Sequence, residues 1–280
     1  MLTPPPETFA GKAVRGIHQR VRARLLDRPL RTAIGPCTGA SALEPGGPSR
    51  LFSLYGAVQV YPRLASLDLV DFAESTLWSG AADDTGAPIR QRLIGEAGAL
   101  PALASDSYDV VLASHVLEHL ANPLGALAEW SRIVRPGGRL LLIVPHRDGT
   151  FDHRRPVTSI EHLIDDAERG TTEDDLTHLP EVLELHDLTR DQGSPSRELF
   201  EQRARENLLT RGMHHHVFVS QTVVQACEAA GLKVLLLRPQ LPFDIVCVCA
   251  VDAQSESISQ AELASVLSRS PFPSDRTGST

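Results

Sequence analysis

The stretch that most constrains the fold of this chain is residues 106–146, DSYDVVLASHVLEHLANPLGALAEWSRIVRPGGRLLLIVPH. Tyr108 to Ala113 is a short, largely apolar run with β-branched residues, as is typical of a strand buried on both faces of a parallel sheet. His115 to Ile133 has helical spacing with a joint at Asn122-Pro123, and Arg139 to Pro145 is a second apolar run. Two buried strands joined through a helix form a right-handed crossover, so the stretch predicts a doubly wound α/β domain.

Further strand-like runs extend this unit on both sides, which gives seven predicted strands in a mostly parallel sheet. Residues 30–145 form the predicted core, preceded by an N-terminal helix in residues 1–29. Residues 217–251 are predicted to add a helix and two closing strands, and residues 252–280 a polar tail that is disordered except for one short helix. The other predicted strands are Leu30–Ile34, Leu64–Phe72, Arg90–Gly98, Lys233–Leu237 and Ile245–Val251.

Residues 146–216 interrupt the strand pattern with many charges and several histidines. Their spacing and capping residues predict helices over 159–169, 176–186 and 195–209. This helical insertion follows the fifth strand, whose end faces the expected ligand pocket. We therefore expect the insertion to cover the substrate as a lid.

Charge and cysteine usage limit the possible partners. The formal net charge of −8 argues against a nucleic-acid surface and favours a small-molecule substrate that is neutral, cationic or sugar-like. No apolar run has the length of a membrane span or the form of an export signal. Cys37, Cys227, Cys247 and Cys249 follow no disulfide or metal spacing, which favours a reducing cytoplasm. Nothing in the sequence indicates an oligomeric state.

The strings YDVVLASHVLEHL, RIVRPGGRLLLIVP and GEAGALP resemble the class I S-adenosylmethionine-dependent methyltransferases of the small-molecule branch called type 11. The resemblance covers roughly residues 31–145 well and 217–251 by pattern alone. It implies a Rossmann-like sheet closed by an antiparallel strand pair, with S-adenosylmethionine as the cofactor. It also implies in-line methyl transfer to oxygen or nitrogen of a small polar metabolite.

The resemblance further implies a glycine-rich loop after the first strand, where backbone approaches the cofactor. Gly35 and Gly39 occupy the outer glycine positions of the segment GPCTG, and Cys37 replaces the middle one. This departure leaves two alternatives open, a degenerate cofactor site or a different path of the loop.

Other predicted cofactor residues stand at the ends of later strands. Asp71 is expected to bind the ribose hydroxyls, since a carboxylate accepts two hydrogen bonds from a cis-diol, and Asp68 is its competitor. The resemblance places Glu96 beside the adenine. The turn at Ser114 and His115 completes a set at the carboxyl ends of successive strands, where ligands bind in open parallel sheets.

His115, Glu118 and His119 stand at i, i+3 and i+4, so on a helix they would share one face and could hold a divalent metal. Some class I methyltransferases hold a metal with an acidic and histidine trio near this place. The same SHVLEHL string is common in type 11 enzymes that use no metal. The HxxEH spacing of some zinc peptidases is a further alternative, which a buried βαβ frame disfavours.

A histidine near neutral pH can accept the proton that an attacking hydroxyl or amine releases. His146, His153 and His215, with the neighbouring His216, are the candidates for this catalytic base. Three alternatives stay open: a metal-dependent enzyme that uses the histidine-rich insertion for non-methyl chemistry, a cofactor-binding partner subunit without activity, and a nucleotide-sugar or NAD enzyme.

Overall fold

The computed structural model describes residues 28–35, 37–76, 85–191, 193–194, 196–252 and 254–277. The predicted N-terminal helix in residues 1–29 falls almost wholly outside these ranges. The predicted core, insertion and closing segment all lie within them apart from the short gaps.

Within the described residues, seven strands form one sheet in the order β3-β2-β1-β4-β5-β7-β6. The first five strands are mutually parallel, and β7 is antiparallel to both β5 and β6. The predicted mostly parallel, doubly wound sheet with a closing antiparallel pair is therefore confirmed. The strands are β1 Ala40–Pro45, β2 Leu64–Asp71, β3 Ile89–Ile94, β4 Tyr108–Ser114, β5 Val134–Pro145, β6 Lys233–Gln240 and β7 Asp244–Ala250.

The predicted first strand, Leu30–Ile34, is wrong. These residues belong to helix α1, Arg28–Ile34, whose three buried side chains stand at i, i+3 and i+4. The first strand is Ala40–Pro45, in the middle of the sheet between β2 and β4. It was missed because Glu44 and a proline sit inside it, although Glu44 is fully buried.

The unit from β4 to β5 matches its prediction except at the start of the helix and at the start of β5, which begins at Val134 and not at Arg139. Helix α2 spans Pro123–Ile133, and the side chain of Asn122 caps it by accepting a hydrogen bond from the Gly125 N–H. The residues before this joint form a single 3₁₀ turn, Leu117–His119, and not an α-helix. Trp130 is fully buried against the sheet, and its indole N–H donates to the carbonyl of Ala97 at 2.8 Å.

The insertion is helical, as predicted. Ser159 caps α3 by accepting a hydrogen bond from the His162 N–H. A small apolar core of Val182, Phe200 and Met213 joins the insertion's later elements. The helices are α3 Ile160–Arg169, α4 Leu179–Leu185, α5 Arg197–Arg205 and α6 Asn207–Thr210.

A buried arginine ties the insertion to the chain segment that re-enters the core. Arg155, only 1% exposed, donates to the carboxylates of Asp152 and Glu181. The same guanidinium donates to the carbonyls of His214 and His215. Because a buried charge is tolerated only when it is paired and hydrogen-bonded, these four contacts stabilise one arrangement of the insertion's base.

The tail is ordered over most of its length, in contrast to its prediction. After α7 (Ser220–Ala229), β6 and β7, it forms α8, Gln260–Ser268, and α9, Pro273–Thr277. The buried carboxylate of Asp275 in α9 accepts hydrogen bonds from Ser220 and Ser270 and contacts the His146 ring. These contacts attach the tail to the rest of the fold, because they satisfy the hydrogen-bonding capacity of the buried Asp275 carboxylate. Among the described helices, none is long and apolar enough to cross a membrane.

Candidate active site

A cavity of about 1020 Å³ lies at the carboxyl ends of the parallel strands. The chain runs outward from β1 to β2 and β3 and then returns to β4 on the other side of β1, so the strand order reverses between β1 and β4. Ligands of open α/β sheets bind in the crevice at such a switch point. Residues from the ends of β1, β2, β3 and β4 line the cavity, and the insertion and the β6–β7 hairpin contribute its outer wall.

The loop after β1 is a tight glycine turn that the sequence prediction did not identify. Gly46 has a φ of +69°, and a Cβ there would lie 2.7 Å from the side chain of Val116. A Cβ on Gly47 would lie 2.4 Å from the carboxyl carbon of Glu44. Gly46 therefore needs glycine for its backbone conformation, a Cβ at Gly47 would displace the Glu44 side chain or the loop, and both residues line the cavity. The signal that could have found this loop is the acidic residue followed closely by Pro-Gly-Gly.

Gly35 and Gly39, the predicted cofactor glycines, lie before β1 at the opposite edge of the sheet. The Gly39 N–H donates to the carbonyl of Arg63, which directly precedes β2. Neither glycine is among the residues that line the large cavity. This placement does not support their predicted role, because the strand that leads into the cavity's glycine turn begins at Ala40. The alternative of a different loop path is the one the structure supports.

The two aspartates of β2 have different surroundings. Asp68 is buried and accepts hydrogen bonds from Arg90, Gln91 and Tyr108, so its oxygens are used within the sheet. Asp71 ends the strand and lines the cavity, and one of its oxygens accepts the Phe72 N–H at 2.9 Å. Partial burial raises the pKa of Asp71. Of the two, Asp71 is the residue placed to meet a ligand.

Glu96 lines the cavity but also anchors the insertion. Its carboxylate accepts from the guanidinium of Arg211 at 2.7 Å. Arg211 forms a second ion pair with Glu173 at 3.2 Å and lies over the ring of Phe72 at 5.2 Å. Among the described residues, Arg211 therefore joins the insertion to the rim of the cavity on the β2 and β3 side.

The turn after β4 brings two predicted residues to the cavity. The Ser114 hydroxyl lies 3.1 Å from that of Ser49 in the glycine loop, which joins the two sides of the crevice. His115 has a φ of +53°, a conformation that non-glycine residues seldom adopt outside sites that hold them in place. Its Nε2 lies 3.1 Å from the Asp244 carboxylate, and its ring packs against Phe243.

The surroundings of the His115–Asp244 pair determine the pKa of the His115 imidazole. Burial by itself lowers the pKa of His115, but the hydrogen bond to Asp244 and the nearby charge of Glu118 outweigh it. The net effect is a pKa raised above 6.5. Because a carboxylate only accepts, Nε2 carries the shared proton and Nδ1 of the neutral ring keeps a lone pair.

The predicted metal trio does not form as expected, because His115 faces Asp244 and is not on a helix with the other two. Glu118 and His119 instead lie near His214, with candidate ligand atoms within 4.8 Å of one another. His119 Nδ1 contacts the Met213 carbonyl, and burial lowers the pKa of this imidazole. Burial raises the pKa of Glu118, whose two oxygens have no hydrogen-bond partner among the described residues.

The three predicted catalytic histidines do not line the cavity as the structure describes it. His146 is fully buried under the tail, stacked on Phe272 with a 4.0 Å centroid separation. His153 pairs with Asp187 at 2.8 Å on the outside of the insertion, and His215 lies beside Asn207 in its interior. None of the three is therefore placed against a ligand in this cavity, because packing by residues distant in sequence decides each position.

Residues 55–142 match the family model described as "Methyltransferase domain". A curated relative, an uncharacterized 37.1 kDa protein in transposon Tn4556 of Streptomyces fradiae, is 32% identical over 134 residues. That alignment covers 47% of this chain, and the chain spans only 38% of the length of that relative.

One similar solved structure is an S-adenosylmethionine-dependent methyltransferase from Mesorhizobium loti. It is 14% identical with a TM-score of 0.45, and the match covers 79% of this chain and 95% of that one. Another is 1,6-didemethyltoxoflavin-N1-methyltransferase from Burkholderia thailandensis, with 13% identity, a TM-score of 0.43 and coverage of 89% and 92%. Both are too distant to bear on the substrate.

The family model spans the segment from just before β2 to within β5, which includes Asp71, Glu96 and the turn after β4. On this match, the segment that carries these residues is similar to a methyltransferase domain.

Proposed function

We propose that this protein transfers the methyl group of S-adenosylmethionine to oxygen or nitrogen of a small polar metabolite. The observation that carries the proposal is a single cavity with Asp71 on one side and the His115–Asp244 pair on the other. The first is suited to hold a ribose and the second to accept a proton. A volume of about 1020 Å³ is at the upper end for small-molecule sites, which fits a nucleoside-sized cofactor beside a small acceptor.

The residues present fit the cofactor. Asp71 has a carboxylate at the cavity wall that can accept two hydrogen bonds from a cis-diol. Gly46 and Gly47 remove side chains from the adjoining loop, so backbone can approach a ligand closely. We assign Glu96 to the adenine side and the Ser114–His115 turn to the side nearer the reacting groups. S-adenosylmethionine, when bound, supplies a methyl group already activated by its sulfonium.

His115 is the proposed base. Asp244 holds the Nε2–H of the ring, so the Nδ1 lone pair is available to take the proton of an attacking hydroxyl or amine. The left-handed backbone at His115 and the packing of Phe243 hold the ring in one orientation. A positioned base of this kind typically contributes 10²- to 10⁴-fold to a rate.

The insertion is the proposed acceptor lid. Phe151, Arg190, Arg203 and His214 from this region line the cavity opposite the strand ends. A wall with charged and aromatic groups suits an acceptor with its own polar groups, and enclosure keeps water from competing for the methyl group.

The four cysteines, all described residues, are buried free thiols, which supports placement in a reducing cytoplasm.

The test is methyl transfer itself. The full-length protein is incubated with methyl-labelled S-adenosylmethionine and pooled small hydroxyl and amine metabolites, and products are identified by mass spectrometry. We expect the wild type to label an acceptor and His115→Gln to label it only weakly. His153→Ala is the control and should keep full activity, because His153 also pairs with an aspartate but lies outside the cavity. Equal turnover by wild type and His115→Gln would remove His115 as the base.

A further inference from the structure

Three histidines and an aspartate converge at the base of the insertion. His162 and Asp166 stand one turn apart on α3, and His178 directly precedes α4. His216 comes from the segment that re-enters the core before α7. One ligand atom of each lies within 4.8 Å of the others, and we call this set the α3–α4 cluster. None of its four members lines the described methyl-transfer cavity.

The separations between these atoms are those of a tetrahedral metal site. His162 Nε2 lies 3.0 Å from His178 Nε2 and 3.2 Å from Asp166 Oδ2. His216 Nε2 lies 3.8 Å from the same Asp166 oxygen. Ligands about 2.0–2.1 Å from a zinc ion in tetrahedral geometry stand about 3.3 Å from one another. The observed separations bracket this value.

Hydrogen bonding within the protein leaves this cluster incompletely satisfied. Asp166 Oδ1 accepts from Arg169 and Thr171. In the part of the chain that the structure describes, the buried Oδ2 makes no well-aligned hydrogen bond and has only the imidazole contacts to His162 and His216 given above. The contact of His216 Nε2 with the Ala121 carbonyl is long, at 3.3 Å. A buried carboxylate oxygen surrounded by imidazoles and without a hydrogen bond calls for a cation to complete it.

We propose that His162, Asp166, His178 and His216 bind one zinc ion in a closed tetrahedral site. Three imidazole nitrogens and one carboxylate oxygen suit zinc, and four protein ligands leave no open position for catalysis. The ion joins α3, the start of α4 and the segment before α7, so it stabilises the base of the lid. The site is separate from the His115, Glu118 and His119 trio and does not depend on the proposed methyl transfer.

The test measures metal directly. The full chain is stripped with a chelator, dialysed, and titrated with Zn²⁺ while stoichiometry is followed by elemental analysis. We expect one zinc per chain and a loss of affinity of about 100-fold or more in His178→Ala. Asp166→Asn is the second variant, since an amide oxygen can keep the Arg169 and Thr171 contacts while the ligand charge is lost. His153→Ala serves as the control and should bind zinc as wild type does.

A variant at the cavity distinguishes the two possible metal positions. His119→Ala removes a member of the cluster with Glu118 and His214 and should leave zinc binding intact. Cobalt substituted for zinc should give the intense visible bands of a tetrahedral ion. Three results would each overturn the proposal. The first is a folded wild type that does not bind zinc, and the second is an octahedral cobalt spectrum. The third is zinc binding that is lost in His119→Ala but retained in His178→Ala and Asp166→Asn.

Discussion

Nε2 of His115, directly after β4, lies 3.1 Å from Oδ1 of Asp244, the first residue of β7. The two residues are 129 positions apart in sequence, and β5 lies between their strands in the sheet. Their contact spans the edge of the sheet at the cavity. The pair therefore couples the turn at the switch point to the strand pair that closes the fold.

Asp244→Asn should change the pH dependence of methyl transfer. Since the Asp244 contact raises the pKa of His115, and the base must be unprotonated, wild-type activity should fall as the pH drops through that raised pKa. Removing the charge lets burial dominate, so the acidic limb of kcat should move to lower pH and the maximum should fall. An acidic limb that does not move would contradict the role of the pair.

The two glycine segments should respond differently to alanine. Gly47→Ala places a Cβ 2.4 Å from the Glu44 carboxyl carbon, so either the buried Glu44 side chain or the loop must shift, and affinity for S-adenosylhomocysteine should fall about tenfold or more. Gly39→Ala has open space around the new Cβ but a φ of +80°, which costs about 1–2 kcal/mol of stability. Isothermal titration should therefore find near-normal affinity in Gly39→Ala. The reverse ranking would restore the GPCTG segment as the cofactor loop.

Glu44 should make stability depend on pH. Burial raises its pKa from 4.5 to about 8, against hydrogen bonds from Tyr61 and Ser49 that lower it. Between pH 4.5 and 8 the folded protein holds a proton that the unfolded chain has released, so the free energy of unfolding falls as pH rises. In denaturant titrations, the stability of wild type relative to Glu44→Gln should decrease across this window. A difference that is constant with pH would show that Glu44 is already ionised in the fold.

Arg211→Ala should loosen the insertion. It removes the ion pairs to Glu96 and Glu173 and leaves Glu173, whose pKa is already raised by burial, without its cation. Hydrogen exchange in residues 206–213 should quicken severalfold, whereas the core strands stay protected. Arg205→Ala, which removes a half-exposed arginine paired with Glu201, is the matched control. Equal exchange in the two variants would mean that Arg211 does not hold the rim.

The sequence predicted the parts of the fold that depend on local pattern. The β4–α2–β5 unit and the capped helix at Ser159 follow from apolar spacing and from a side-chain cap, which act over a few residues. The first strand was missed because its buried Glu44 is stabilised by Tyr61 and Ser49, contacts that no periodicity reveals.

The site was predictable where strand ends decide position. Asp71, Glu96, Ser114 and His115 all line the cavity, since each follows or ends a parallel strand. The histidines of the insertion were not predictable, because tertiary contacts decide which of them is exposed to the cavity. His146 is covered by Asp275, a residue 129 positions later in the chain.

The central claim is that S-adenosylmethionine binds at the carboxyl ends of β1, β2 and β4 with Asp71 on its ribose. Isothermal titration with S-adenosylhomocysteine tests it directly, by comparing wild type with Asp71→Asn and Asp68→Asn. We expect the wild type to bind, with an affinity that chelator treatment leaves unchanged. The affinity should fall about tenfold or more in Asp71→Asn. Asp68→Asn should be less stable but bind with near-normal affinity, because the Asp68 carboxylate makes hydrogen bonds only within the sheet. No binding by folded wild type, or normal affinity in Asp71→Asn, would contradict the account.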